Sequence, residues 1–207
     1  MAYVLGFWFA DGYMRKEKSY RIIFSGKDEG ILIKIREAID SNHPIRLNCK
    51  DSCYFISFCS RKLYEDLAKL GGLRCKSKIM GFPNMPRKFL PDFIRGYFDG
   101  DGSVFFVKYI RTKDKRLTKE LRTNFTSGSR QFLNDLMKAL YNEIGLPLKK
   151  LGVYNNGGSL KLGYGMKDSD TLLRYMYYSN FPIGLERKAI FVSKIPIYQK
   201  HFYINRT

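Results

Sequence analysis

The chain has 207 residues, of which 37 are Lys or Arg and 19 are Asp or Glu, giving a formal net charge of +18. That excess is beyond what solubility needs and predicts a polyanionic partner, either nucleic acid or an anionic membrane. Aromatic residues are 15% of the chain, which argues against disorder, and no apolar run approaches the length of a membrane span, which leaves nucleic acid as the better partner. The apolar N-terminus is short, is broken by Asp11 and lacks the basic leader of a signal peptide. An intracellular protein is therefore expected, in a bacterial or archaeal cytoplasm or in an organelle. The spacing of Cys49, Cys53, Cys59 and Cys75 matches no common zinc pattern, and only His43 and His201 could assist. Reduced thiols are expected, with no disulfide and no structural metal.

Taken in order, the chain opens on the apolar stretch Val4–Gly12 (VLGFWFADG), then the basic Tyr13–Ser19 (YMRKEKS) and Tyr20–Ser25 (YRIIFS). That order suggests a β-hairpin whose second strand puts Ile22 and Phe24 on one face and Arg21, Ile23 and Ser25 on the other. Asp28 is placed to cap a helix with the apolar stripe Ile31, Leu32, Ile35 and Ile39. Beyond Pro44, strands Ile45–Lys50 and Tyr54–Cys59 flank the turn Asp51-Ser52. A helix over Arg61–Leu70 carries Leu63, Leu67 and Leu70 at helical spacing and stops at Gly71-Gly72. Residues 1–72 thus read as one unit and 73–91 as a linker containing Pro83 and Pro86, with Pro91 starting the next helix favourably.

Residues 92–207 repeat the order. Phe93–Gly102 (FIRGYFDGDG) begins as a helix that is apolar on most of its surface. Gly96 and Gly100 lie one turn apart on a face that lets another backbone come close. Gly102 suits a left-handed helix stop. A carboxylate at this end faces the negative end of the helix macrodipole, so something positive should compensate, a divalent metal foremost. The plainer alternative is a buried helix followed by a Gly-rich turn. Strands Ser103–Arg111 and Leu117–Thr126 enclose the basic loop Thr112–Arg116, and Arg130–Ile144 is amphipathic through Phe132, Leu133, Leu136, Leu140 and Ile144. Leu148–Asn155 and Ser159–Gly165 join across an Asn156-Gly157 hairpin signal. Asp168 is placed to cap a helix running to Tyr178.

The two parts match residue by residue. Gly6, Ala10, Asp11 and Gly12 correspond to Gly96, Gly100, Asp101 and Gly102, all 90 residues apart. Arg21 and Phe24 match Arg122 and Phe125 at 101, and Gly72-Leu73-x-x-Lys76 matches Gly184-Leu185-x-x-Lys188 at 112. The growing offset places longer loops in the second part without changing the order of elements. The expected fold is α+β: two pseudo-symmetric α-β-β-α-β-β-α halves, related as two protomers of a dimer would be. Their contact is the pair of helices carrying the close-packing residues Gly6, Ala10, Gly96 and Gly100, and a monomer is expected.

The two stretches VLGFWFADG and FIRGYFDGDG resemble the paired signature helices of the LAGLIDADG homing endonucleases, in the double-motif single-chain form. The second fits the pattern well; the first carries Phe9 where an acidic residue is usual but keeps the final Asp-Gly. If the helices pack side by side, Asp11 and Asp101 emerge at the same end, where two carboxylates repel unless a cation intervenes. Oxygen ligands favour Mg²⁺, with waters and substrate phosphates completing its shell, and Mn²⁺ or Ca²⁺ able to substitute for binding. The resemblance implies metal-dependent hydrolysis of both strands of a long double-stranded DNA target with short 3′ overhangs. It assigns one signature Asp to each strand cut, with Ala10 and Gly100 beside them at the metal. It also implies a basic residue near each scissile phosphate, at Lys76 and Lys188, where a solvated surface lysine is the plainer alternative. Lys27 matches a position that lines the active site in the family; its counterpart in the second half is Gly128.

The strands are expected to form two antiparallel sheets, apolar toward the helices and basic or polar on the other side, making a DNA-binding saddle along the major groove. By alternation Arg15, Arg21, Arg111, Arg122, Asn124 and Lys161 face DNA, Arg being suited to guanine and Asn to adenine. The loop Lys108–Arg122, including Lys113, joins them as a group, because its seven Lys and Arg face only Asp114 and Glu120. The alternative function is a non-cleaving binder on the same scaffold, either an RNA maturase that assists intron splicing or a DNA-binding regulator. An intein endonuclease domain would need flanking splicing segments, which are not expected here.

Overall fold

The helices of the two signature stretches lie against each other, and everything else is hung on that pair. The computed structural model describes residues 1–17, 19–72, 79–154 and 158–195. The first half runs α1 (Ala2–Asp11), β1 (Gly12–Lys16), β2 (Tyr20–Gly26), α2 (Glu29–Ala38), β3 (Arg46–Asn48), β4 (Cys53–Cys59) and α3 (Arg61–Lys69). The second repeats it as α4 (Leu90–Asp101), β5 (Gly102–Ile110), β6 (Leu117–Ser127), α5 (Arg130–Ile144), β7 (Gly152–Tyr154), β8 (Ser159–Tyr164) and α6 (Met166–Met176), then adds α7 (Glu186–Ser193). Each half has a four-stranded antiparallel sheet, ordered β1-β2-β4-β3 and β5-β6-β8-β7. The architecture is α+β with two similar halves. No helix among the described residues is long and apolar enough to cross a membrane.

Local chemistry explains where the helices start. The Asp28 carboxylate accepts from Gly30 N at 3.0 Å, the Ser60 hydroxyl from Leu63 N at 3.2 Å and the Ser129 hydroxyl from Phe132 N at 3.2 Å. Each satisfies one of the donors that a helix leaves unpaired in its first turn. Asp168, expected to cap α6, does not. That helix begins earlier, at Met166, with Gly165 as its cap, and the Asp168 carboxylate instead takes Lys149 Nζ at 2.7 Å. Nor does Gly102 stop α4 in a left-handed turn. It is extended (φ −100°, ψ 164°), because α4 passes straight into β5. A glycine is still required there, since a Cβ would come within 2.3 Å of the Phe98 ring and 2.5 Å of the Phe98 carbonyl oxygen. The second signature helix starts at Leu90, inside the expected linker, after a single 3-10 turn at Arg87–Phe89. Strands β3 and β7 are shorter than expected, and the Asn156-Gly157 signal lies outside the described residues.

The crossing of α1 and α4 is close because neither helix has a side chain at its midpoint. A Cβ on Gly6 would lie 2.0 Å from the Phe93 carbonyl oxygen, and one on Gly96 would lie 2.1 Å from that of Tyr3. The two contacts are mirror statements of one pseudo-twofold relation. Around them a single buried apolar cluster runs through both halves, from Phe7, Trp8 and Phe24 to Phe93, Phe98 and Phe125. Fully burying an aliphatic or Phe side chain contributes about 1.5–3 kcal/mol, so a core shared this way ties the halves into one cooperative unit. Gly96→Ala forces the two backbones apart and should cost about 1–3 kcal/mol or more in chemical denaturation. Unchanged stability would show that the helices do not meet as closely as this.

Candidate active site and nucleic-acid interface

Asp11 and Asp101 are the last residues of α1 and α4, and both are partly exposed. The close crossing brings them out together. A Cβ on Gly100 would sit 2.4 Å from Ala10 Cβ and 2.9 Å from Asp11 Oδ2, so the Asp11 carboxylate lies against the residue preceding Asp101. Tyr97, buried with its hydroxyl donating to the Thr126 carbonyl at 2.8 Å, registers both. Burial first, and then the charges of Asp101 and Asp11, push its pKa well above the ordinary value. Ser25 Oγ donates to the Asp11 carbonyl at 2.8 Å and fixes the end of α1 to β2.

The two carboxylates open onto different clefts. The larger, about 770 Å³, is lined by Asp11, Ser25, Lys27 and Asp28 from the first half and by Gly100 and Arg187 from the second. The smaller, about 510 Å³, is lined by Asp101, Ser103, Phe105, Asn124, Thr126 and Lys161. Lys27 is thus beside one signature carboxylate, exposed at the start of the loop into α2. Among the described residues no group of three or more His, Cys, Asp or Glu could enclose an ion. The helix-pair end instead offers two carboxylates and backbone carbonyls, all hard oxygen donors. That set fits a cation such as Mg²⁺, which keeps several waters and takes substrate phosphate oxygens, and it does not fit zinc.

Lys188 stands beside this end but points inward. Only 4% of it is exposed, and its ammonium donates to the carbonyls of Phe98, Asp99 (3.0 Å) and Gly102 (2.7 Å). These carbonyls lie where α4 passes into β5, a helix end that leaves acceptors in need of donors, and the Phe98 carbonyl also accepts from the Gly102 amide. Three acceptors use three protons, which only the charged form has. Burial lowers the pKa to about 8, against the attraction of Asp99, and Asp11 and Asp101 also act on it. Lys188 is therefore not the solvated surface lysine that its composition allowed. Lys76, its counterpart, lies outside the described residues.

Asp99 was visible in the sequence only as one acid of the Asp-Gly-Asp-Gly run. In the fold it is 2% exposed and accepts from Tyr3 OH at 2.7 Å, Tyr177 OH at 2.6 Å and Leu185 N at 2.7 Å. Burial pushes its pKa up, opposed by Lys188 and these donors. Asp99, through its carboxyl group on the Leu185 amide, and Lys188, through its ammonium on the backbone carbonyls, together hold the loop before α7 to the end of α4. At the matching place in the first half, Phe9 packs edge-on against Phe93, ring centroids 5.5 Å apart. Arg95, fully buried, braces the same region by donating to Ile183 O and Met176 O, each at 2.8 Å, and pairing with Asp92 at 2.7 Å. No sequence signal marked it, because its acceptors lie more than 80 residues away.

Strand register decides which basic residues share the face turned away from the helices. Tyr13↔Ile23 and Arg15↔Arg21 alternate with the core residues Met14, Ile22 and Phe24. In the second sheet Phe105↔Arg122, Ser103↔Asn124 and Thr126↔Lys161 alternate with Leu121, Phe125 and Leu162. Arg15, Arg21, Arg122, Asn124 and Lys161 therefore lie on the outer faces. Ile23, expected there among polar groups, is buried. Lys108 falls on the other face: it pairs with Lys119 and alternates with Phe105 and Val107, in phase with the core-packed Val104 and Phe106. Lys108 lies inside this nine-residue strand and not in the basic loop, so the phase of the strand sets its face. Arg111 and Lys113 are exposed in the loop beyond it.

No protein-family model matches the chain. Over 110 residues, 51% of its length, the chain is 31% identical to part of a probable translation initiation factor IF-2 of Thermococcus kodakarensis, and it spans 8% of that protein. Solved structures are similar over nearly the whole chain. The meganuclease I-AabMI bound to uncleaved DNA superposes with a TM-score of 0.65 and 14% identity, over 97% of this chain and 90% of that one. The LAGLIDADG homing endonuclease I-LtrWI bound to target DNA gives 0.62 and 14%, over 97% and 90%. Mesophilic variants of the homing endonuclease I-DmoI give 0.62 and 18%, over 91% and 96%. At such identities the likeness is one of fold. The chain has the LAGLIDADG homing-endonuclease fold, in its two-motif, single-chain form.

Proposed function

We propose that this chain is a site-specific endonuclease that hydrolyses both strands of a long double-stranded DNA target, using Mg²⁺ and leaving short 3′ overhangs. The observation that carries the reading is the position of Asp11 and Asp101, together at the open end of the helix crossing and each facing its own cleft. Solved proteins of this fold include homing endonucleases bound to DNA, some with Mn or Ca²⁺. Asp11 and Asp101, with the backbone at Ala10 and Gly100, would hold the metal. A bound divalent cation supplies charge stabilisation and a more acidic water for an in-line displacement at phosphorus. The chain's own residues do the rest: the helix crossing sets the spacing of the carboxylates, Lys27 faces one cleft, and the Asp99–Lys188 pair keeps the end of α4 from unwinding. Residues 1–72 and 92–207 would each address half of the target, with 73–91 joining them.

The outer sheet faces, with Arg15, Arg21, Arg122 and Asn124, are the DNA-reading surface, flanked by Arg111 and Lys113 in the basic loop. If some six or more phosphates are neutralised, raising salt from about 50 to 200 mM should weaken target binding by roughly a thousandfold. Binding insensitive to salt over that range would remove the electrostatic footprint. Selection of cleaved members from a randomised DNA library in Mg²⁺ tests the activity itself. Recovery of one long site cut on both strands is expected. Failure to cut any member would favour the non-cleaving binder, whether an RNA maturase or a DNA-binding regulator.

The match to a short part of a translation factor favours a second reading of context: an endonuclease carried within the reading frame of a longer host protein. The coding sequence on either side of these 207 codons separates the cases. Host sequence continuing in frame on both sides supports the insert; stop codons directly flanking the chain rule it out.

A further inference from the structure

We propose that Lys161 is the cation facing the second reacting centre, taking in that half the place that Lys27 has in the first. The inference rests on the endonuclease reading and follows from strand register. Phe24 pairs with Gly12 on one side and Ile56 on the other, as Phe125 pairs with Gly102 and Leu162. One residue on, Ser25 pairs with Phe55 and Thr126 pairs with Lys161. Two residues further along the chain, Lys27 corresponds to Gly128. The halves have therefore exchanged their cation. The first has Lys27 after β2 and the apolar Phe55 on β4; the second has Gly128 after β6 and Lys161 on β8.

The exchange delivers charge to the same kind of place. Lys27 lines the cleft with Asp11, and Lys161 lines the cleft with Asp101. Among the described residues, Lys161 is the only basic side chain lining that second cleft, whereas Arg187 accompanies Lys27 in the first. Lys161 is also positioned. With the Asn124 amide oriented so that its nitrogen donates to the Thr123 carbonyl at 3.1 Å, its oxygen accepts from Lys161 Nζ at 3.2 Å. Asn124 is 6% exposed and cannot follow a wandering lysine, so the ammonium is held over the cleft. A preorganised charge there stabilises the phosphate as charge builds on it during displacement.

The test uses the selected target on supercoiled plasmid, with each strand end-labelled and enzyme in saturating excess. Lys161→Met should slow the strand whose cut is lost in Asp101→Asn, by on the order of a hundredfold, and leave the other strand unaffected. Nicked circles should accumulate. Lys27→Met should slow the opposite strand, and less severely, because Arg187 remains. Gly128→Lys added to Lys161→Met should restore much of the lost rate, since it rebuilds the first half's arrangement. Affinity measured with Ca²⁺ in place of Mg²⁺ should be nearly unchanged in Lys161→Met. Equal slowing of both strands, or lost affinity with unchanged rates at saturation, would make Lys161 a groove-reading residue and overturn the assignment alone. A wild-type protein that cuts no DNA overturns the endonuclease reading and this assignment together.

Discussion

Asp101→Asn should abolish cleavage of its strand while target binding survives, and Asp11→Asn should do the same for the other strand. The amide keeps the shape of the carboxylate, so the close approach of α1 and α4 is not disturbed. What it removes is a charged oxygen donor from the open end of the helix crossing. Losing a preorganised charge from a reacting centre costs about 2.7–4 kcal/mol, a hundredfold or more in rate, and a metal ligand stands at the upper end of that range. Strand-resolved single-turnover rates in Mg²⁺ measure this, alongside affinity in Ca²⁺. Wild-type rates on both strands from either variant would refute the paired-carboxylate mechanism.

The largest stability change is expected from Lys188→Met. Methionine fills much of the same volume but leaves the carbonyls of Phe98, Asp99 and Gly102 without the ammonium that they share. It also removes the positive charge whose attraction acts on buried Asp99. Each buried acceptor left without its donor costs about 1–3 kcal/mol, so losing three contacts at once amounts to several kcal/mol. For a chain of this size that is a fall of roughly ten degrees or more in Tm. Asp99→Asn in the same background should recover part of the loss, because no uncompensated charge then remains, and the double-mutant cycle reads the coupling directly. A Tm within a degree or so of wild type for Lys188→Met would mean that the lysine is exposed in solution.

These two experiments touch residues that were unequally visible in the sequence. Asp11 and Asp101 could be found because the chain repeats itself, with small residues one turn apart before each Asp-Gly. Periodicity and capping chemistry are local, which is why α2, α3 and α5 and the cap at Asp28 follow from nearby residues, whereas Asp168 was drawn off its cap by Lys149. The Asp99–Lys188 pair is different. Its ligands come from Tyr3, Tyr177 and Leu185, and only the packing of α1 against α4 and the return of the chain past α6 brings them together. Lys188 was legible as the partner of Lys76 in a repeated motif, but its inward orientation depends on that buried acid. Sheet faces fall between these cases. Alternation placed Arg122, Asn124 and Lys161 on one face, whereas Lys108 needed the register of β5 against β6 to be seen on the other. Matching Lys27 with Gly128 exposed a missing cation, and only the neighbouring strand β8 showed Lys161 beside the same cleft as Asp101.

The central claim, that the carboxylates at the helix crossing hold the metal at which DNA is cut, is tested most directly by anomalous diffraction. The complex with the selected target is crystallised with Mn²⁺, and the scattering peaks are located. The account predicts manganese bound by Asp11 and Asp101 and by phosphate oxygens of the DNA at the end of α1 and α4. Manganese confined to other carboxylates, with DNA bound and both signature residues empty, would contradict it.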